Sequence, residues 1–452
     1  MAVSRAIPVD NVDRPLPLLA VDKVSIEYKT RERRVRATHQ VSFDVHGAER
    51  FILLGPSGCG KSTLLKAIAG FIEPTEGRIA IDGKTVQGPG PDRIVVFQEF
   101  DQLPPWKTLR QNVAFPLVAS RKLNRREADE RAMHYLDKVG LAAFADAYPH
   151  TLSGGMKGAR MSIGHAGSAF IRPEVEYDLP PLPPQAAETP LPWHERLWQH
   201  AALRKGVILA LLAVVWELAA RYTDNDLLLP GAWQTAQAFV EGVTSGELLA
   251  RAGQSMRVLV QGYLAGVVLA FVLTTLAVST RFGRDLLSTL TAMFNPLPAI
   301  ALLPLALLWF GLGEGSLVFV LIHSVLWALA LNMYAGFLGV SDTLRMAGRN
   351  YGLTGLRYVL QILVPAALPA ILAGLKIGWA FAWRTLIAAE LVFGASSGKG
   401  GLGWYIFQNR NELYTDRVFA GLAAVVIIGL LVENLAFDTL ERLTVRRWGM
   451  QR

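Results

Sequence analysis

The sequence predicts two unlike parts in one chain: an α/β P-loop unit first, then an all-α polytopic membrane domain with six transmembrane helices. Three observations predict this. A glycine-rich loop ending in Lys-Ser follows a short apolar run and precedes a helical pattern. Long apolar stretches dominate the chain from about residue 206 to 440. Between the two lies a segment crowded with Pro173, Pro180, Pro181, Pro183, Pro184, Pro190 and Pro192. That density disfavours helix and sheet and favours an extended linker.

Composition agrees. The chain is 52% hydrophobic and only 18% charged, where about 25% charged is usual. Its mean hydropathy of +0.30 calls for membrane segments. Such a chain is not disordered, which would need few apolar residues and high net charge. A single cysteine, Cys59, excludes an intramolecular disulfide framework. The net charge of +8 suits nucleic acid, anionic lipid or cytoplasmic membrane flanks alike. Residues 1–17 lack the pattern of a signal peptide, so the first part is expected to stay in the cytoplasm.

In the first part, Phe51-Ile52-Leu53-Leu54 is fully apolar and reads as a buried strand. Gly55-Pro56-Ser57-Gly58-Cys59-Gly60-Lys61-Ser62 follows at once, and Thr63 to Ile68 reads as a helix. This is the G-x-x-x-x-G-K-S spacing in its required context. The glycines let backbone N–H groups turn toward phosphate oxygens, and the helix N-terminus adds partial positive charge. Lys61 is suited to the terminal phosphates and Ser62 to Mg²⁺. Cys59 reads as a small filler in a permissive position. Asp82-Gly83 after the alternating Arg78-Ile79-Ala80-Ile81 signals a hairpin. Ile94-Val95-Val96-Phe97 reads as another buried strand, ending in Gln98. Thr108 to Gln111 has capping-box spacing for a helix start.

Leu152-Ser153-Gly154-Gly155-Met156 comes next in order. With the phosphate loop and the strand ending in Gln98, it makes residues from about 20 to 157 resemble an ABC-transporter nucleotide-binding domain. The resemblance implies ATP and Mg as cofactors. It implies that Tyr28 stacks on adenine and that the loop from Gly55 to Thr63 holds the phosphates. It further implies that Gln98 touches Mg²⁺ and senses the membrane subunit, and that Ser153, Gly154 and Gly155 close on ATP held by the opposite protomer.

The family pattern then breaks. A Walker B strand, four apolar residues followed by Asp-Glu, is absent after the signature. Glu176 and Asp178 have no apolar run before them, and His194 and His200 match no switch-histidine motif. The general base and a metal-organising carboxylate are missing, so hydrolysis by this chain alone is expected to be severely impaired. Losing that strand would also leave unpaired strand edges and exposed apolar surface. The domains expected are residues 1–160, a truncated nucleotide-binding domain; 161–200, a Pro-rich linker or permease leader beginning at Met161; and 201–452, the membrane domain. A deletion that joined two genes would produce such a chain.

A bilayer-spanning helix needs roughly 20 apolar residues. The candidate spans are about 206–222, 258–279, 286–309, 315–338, 368–394 and 418–438. Arg204, Lys205, Arg281, Arg284, Arg345, Arg349, Arg357, Arg442, Arg446 and Arg447 all fall on one side. By the positive-inside rule that side is cytoplasmic, with both termini inside.

The longest cytoplasmic loop holds Gly352, nine residues, then Ile362-Leu363-Val364-Pro365. This resembles the EAA motif of ABC importer permeases, with Met346-Ala347-Gly348 in the Glu-Ala-Ala place. The resemblance implies two short helices about a glycine hinge that dock on an ATPase near its Q-loop, with Ala347, Gly352, Ile362 and Pro365 as marker positions. Leu375 to Arg384 and Ala388-Ala389-Glu390-Leu391 resemble the nitrate/taurine/aliphatic-sulfonate permease family over roughly residues 195–450. Arg384 and Glu390 lie inside the fifth span. Ionisable residues there are functional candidates by default: they pair, line a path or brace helices. Ser396 to Gly401 lacks phosphate-loop spacing and reads as a plain loop.

The family resemblance implies a multi-pass permease of the bacterial inner membrane that imports a small anion. Its implied partners are a second permease copy, intact ABC ATPase subunits, an extracytoplasmic solute-binding protein and the lipid bilayer. Nucleic acid is not needed to explain the basic charge. The alternatives are a self-contained half-transporter, a membrane-anchored regulator that binds ATP without hydrolysing it, and a non-functional fusion product.

Overall fold

The computed structural model describes residues 17–29, 34–56, 58–97, 102–152, 201–393 and 400–450. Its N-terminal part opens with two long strands, β1 (Leu19–Lys29) and β2 (Arg34–Val45). Helix α1 (Lys61–Ile68) follows, then β3 (Glu76–Ile81) and β4 (Lys84–Thr85). The sheet is antiparallel throughout, in the order β2-β1-β3-β4. Alternation places Val21, Val24, Ile26 and Ile79 in one core with Leu64 and Ala67 of α1. The β3–β4 turn has positive φ at both Asp82 (47°) and Gly83 (73°), as the Asp-Gly dipeptide predicts.

The two apolar runs read as buried strands behave otherwise. Neither Phe51–Leu54 nor Ile94–Phe97 enters regular structure. Ile52 is 74% exposed, Leu54 82% and Ile94 72%. A central strand is apolar because it is covered on both faces and paired at both edges. Among the described residues nothing pairs with these runs, so their hydrophobicity has no ladder to drive it inward.

Helices α2 (Leu109–Ala119) and α3 (Arg125–Lys138) form a small helical layer. Both start in reciprocal capping boxes, Thr108 with Gln111 and Asn124 with Glu127. Each satisfies two N–H groups that the helix itself leaves unpaired.

The second part is all helix: α4 (Ala201–Thr223), α5 (Ala232–Thr244), α6 (Glu247–Ser279), α7 (Arg281–Phe294), α8 (Leu303–Phe310) and α9 (Glu314–Leu338). They are followed by α10 (Asp342–Asn350), α11 (Gly355–Ala366), α12 (Leu368–Phe393), α13 (Leu402–Asn411) and α14 (Thr415–Arg446). Among the described residues four helices, α6, α9, α12 and α14, are long and apolar enough to cross a membrane. A fifth span results if α7 and the segment Ala299–Phe310 count as one. The third span expected over 286–309, where Pro296, Pro298 and Pro304 interrupt the hydrogen-bond ladder, is a broken pair, Arg281–Phe294 and Ala299–Phe310, bent by 88°. Proline removes an N–H and clashes with the preceding turn. The expected first span lies in α4, outside those four.

Close packing joins α6, α9 and α12. A Cβ at Gly262 would come within 2.5 Å of Leu321, and one at Gly266 within 2.8 Å of Val325. This small-xxx-small stripe lets two backbones approach, the usual route to helix association in lipid.

Candidate functional site

The phosphate loop is built by backbone first. Gly58 and Gly60 have φ of 83° and 95°, values that L side chains rarely adopt. A Cβ at Gly60 would also collide with the Ala37 carbonyl. Lys61 opens α1 at this turn. Its Nζ donates to the carbonyls of Gly55 (2.5 Å) and Pro56 (2.6 Å) and lies 3.5 Å from Cys59 Sγ. The ammonium is thus folded over the loop that would cradle phosphate. Ser62 is exposed, and Thr63 Oγ1 accepts a hydrogen bond from Tyr28 Oη at 3.3 Å. Tyr28 therefore stands beside the loop with a half-open ring. Ser57, Gln98, Ser153, Gly154 and Gly155 lie outside the described residues.

Loop N–H groups, the α1 N-terminus and one ammonium suit a polyphosphate chain. The Ser62 hydroxyl, exposed at the start of α1, is of the type that ligates Mg²⁺.

The second cluster forms where the two parts meet. Helices α10 and α11 flank Gly352, whose φ is 78°. Ala347 and Ile362 are buried in the pair, while Pro365 lies half-buried in α11. Leu344, Leu353, Tyr358 and Ile362 share one apolar cluster with Phe115 and Ala119 of α2. Phe115 meets Tyr351 edge-on at 5.8 Å, and Arg357 donates to the Ala119 carbonyl at 3.5 Å. Burial in this cluster holds the Tyr358 hydroxyl above its ordinary pKa. Arg447 reaches across to the Tyr148 ring, 5.8 Å from its centroid. The sequence marked α10 and α11 but gave no sign of their receptors. Phe115 and Ala119 look like ordinary core residues of an amphipathic helix.

The third cluster lies within the spans. Both Glu390 oxygens accept from Ser255 Oγ at 2.8 Å, and Oε2 also accepts from Gly403 N–H at 2.8 Å. Leu402 N–H donates to Ser255 Oγ. The carboxylate thus braces α6, α12 and α13. Arg384 is placed differently: its Nε donates to its own helix at Ala380, and its guanidinium lies over Phe381 at 5.3 Å. Ser255 and Gly403 had no signal in the sequence.

Comparison with known proteins gives these clusters a family. Residues 38–168 match the ABC transporter family model. Residues 262–449 match the model described as binding-protein-dependent transport system inner membrane component. A putative ABC transporter permease of Methanocaldococcus jannaschii is 31% identical over 229 residues, covering 50% of this chain and 85% of that protein. The chain belongs to the ABC importer permeases.

This importer permease carries part of an ABC ATP-binding protein in front of it. That part is 46% identical over 159 residues to the taurine import ATP-binding protein TauB of Rhizobium johnstonii, covering 35% of this chain and 59% of TauB. It is 42% identical over 158 residues to the nitrate import ATP-binding protein NrtD of Synechococcus elongatus, covering 35% of the chain and 56% of NrtD. The importer chain therefore spans little more than half the length of these ATP-binding relatives. Its ABC part implies ATP as a ligand, and its permease part places it in the inner membrane.

Proposed function

We propose that this chain is the permease of an importer that moves a small anion of the sulfonate, taurine or nitrate type into the cytoplasm. The observation that carries the reading is the seating of α10 and α11 on α2, a permease segment held against an ATP-binding part. The names of TauB and NrtD support the anion class. The working unit is a homodimer with six spans per copy, α4 and the broken α7–α8 pair included. Both termini face the cytoplasm, and a solute-binding protein delivers the anion from outside. Residues 1–160 form the truncated ATP-binding domain, 161–200 the linker and 201–452 the permease.

Hydrolysis comes from an intact ATPase in trans, because Walker B is missing from this sequence. On this chain Tyr28, Lys61, Ser62 and the loop amides hold ATP, with Ser62 and Gln98 on Mg²⁺. Ser153, Gly154 and Gly155 are the signature side. Ala347, Gly352, Ile362 and Pro365 form the coupling segment.

A second reading has its own observation. Tyr28 and Lys66 share a cavity of about 400 Å³ with Asp342, Arg345 and Arg349 of α10. A nucleotide there would touch the coupling segment directly, as a regulator that binds ATP without turnover. Uptake of labelled taurine and nitrate separates the two readings. The full chain is co-expressed with an intact ATPase and a binding protein, with and without Lys61→Ala. Unchanged uptake supports the first reading, and uptake that depends on Lys61 supports the second. No uptake of either anion in any combination overturns the anion-import proposal.

A further inference from the structure

We propose that the C-terminal turn of the permease, Arg447–Gly449, is a second docking element for the ATP-binding part. Together with α10 and α11 it fixes the direction in which that part presents the turn leading into Ser153. The first seat is that of α10 and α11 on Phe115 and Ala119 of α2. One seat alone leaves a body free to pivot. A second seat, on a different segment, fixes its rotation.

Three observations place the second seat. First, α14 ends in a Schellman cap: Gly449 N–H donates to the Arg446 carbonyl at 3.1 Å and Met450 N–H to the Val445 carbonyl at 3.0 Å. Gly449 holds a φ of 64° in that cap. Second, no side chain fits at Gly449. A Cβ there would lie 2.4 Å from His150 Cγ and 2.7 Å from its Nδ1, so the backbone of the turn rests on the imidazole. Third, the Arg447 guanidinium lies 5.8 Å from the centroid of the Tyr148 ring. The Tyr148 and His150 rings are themselves stacked, 6.2 Å apart with 23° between their planes. Arg442 and Arg446 are held by Asp438 and Glu441 of their own helix. Arg447 turns instead to the ring, where a cation is attracted by the π face.

Both seats belong to one closed circuit. At the start of α2, Leu109 N–H donates to the Ala147 carbonyl and Arg110 N–H to the Ala145 carbonyl, each at 2.8 Å. Leu152 shares a buried cluster with Leu109. The Tyr148–Leu152 turn is therefore fastened to the same helix that carries Phe115 and Ala119. On the permease side, Lys376 of α12 pairs with Glu441 of α14 at 2.7 Å. Helix α11 ends at Ala366 and α12 begins at Leu368. From α2 the circuit runs through α11, α12 and α14 to Tyr148 and back to α2. Each seat thus holds the other in place, and the turn ahead of the signature residues moves with the end of the last span.

The test follows release of the ATP-binding part from the folded full chain. The chain carries an N-terminal affinity tag and a protease site within residues 161–200, is cut in detergent on the resin, and the permease leaving the resin is measured over time. The cut wild type is expected to stay together. Arg447→Ala and Tyr148→Ala are each expected to speed release about 2–5-fold, as for loss of a cation–π contact. The double variant is expected to be no faster than either single one, because both remove the same contact. Gly449→Ala is expected to speed release about 5–30-fold, since its backbone conformation is costly for any residue with a Cβ. Ile52→Ser is expected to leave release unchanged. Melting temperatures of the uncut variants show whether each is folded; should Gly449→Ala not fold, His150→Ala replaces it. Prompt release of the cut wild type, unchanged release in the single variants, or additive effects of Arg447→Ala and Tyr148→Ala overturns the proposal. Release involves no transported solute, so its failure leaves the anion-import reading standing, and failure of uptake leaves the second seat standing.

Discussion

The ATP-binding part has two faces with opposite fates. On one, Phe115 and Ala119 of α2 are buried against α10 and α11. On the other, Ile52 and Leu54, just ahead of the phosphate loop, and Ile94 stand open to solvent. The difference is that the first has the permease to cover it, while the second has no neighbouring strand among the described residues. Hydrophobicity drives burial only where a partner surface exists.

Four measurements break or sharpen that contrast. The largest effect concerns turnover. Phosphate release by the purified full chain is expected to fall about 10²–10⁴-fold below that of an intact importer, the usual weight of a general base. Turnover at an intact rate would mean that the open face is catalytically complete. Next, Phe115→Ala removes a buried ring from the docked face. It is expected to lower stability by about 3–5 kcal/mol, read as a lower melting temperature in detergent. A change below about 1 kcal/mol would mean the two faces are not different after all. Third, Thr108→Ala removes the cap that starts α2 and is expected to lower stability by about 1 kcal/mol, seen as a smaller drop in the same melt. Last, Ile52→Ser on the open face is expected to change stability by less than about 0.5 kcal/mol. A loss of several kcal/mol there would show that the run is buried as a strand.

What was legible in the sequence was local. Asp82-Gly83 specifies its own turn, and Thr108 with Gln111 specifies its own helix start. The four clear spans follow from length and apolar content, and the α10–α11 pair from its glycine spacing. What was not legible depended on distant partners. Phe51–Leu54 has the composition of a central strand, but no residue of that run states whether a neighbour is present. The prolines of the third span mark where the ladder is interrupted, but nothing in them states the 88° angle. Glu390 is a candidate in any reading, but its partner Ser255 lies 135 residues away. Nothing near either residue records that they meet.

The seating of α10 and α11 has one more consequence. On the proposed reading these helices are the surface a separate ATPase would need, and a part of this same chain is already seated on them. Because that fragment is covalently attached through residues 153–200, its effective concentration at the surface is of millimolar order when the connection spans the gap. On that reading a free ATPase subunit would have to outcompete a tethered rival, so its occupancy of the permease would depend on its abundance as well as on its intrinsic affinity.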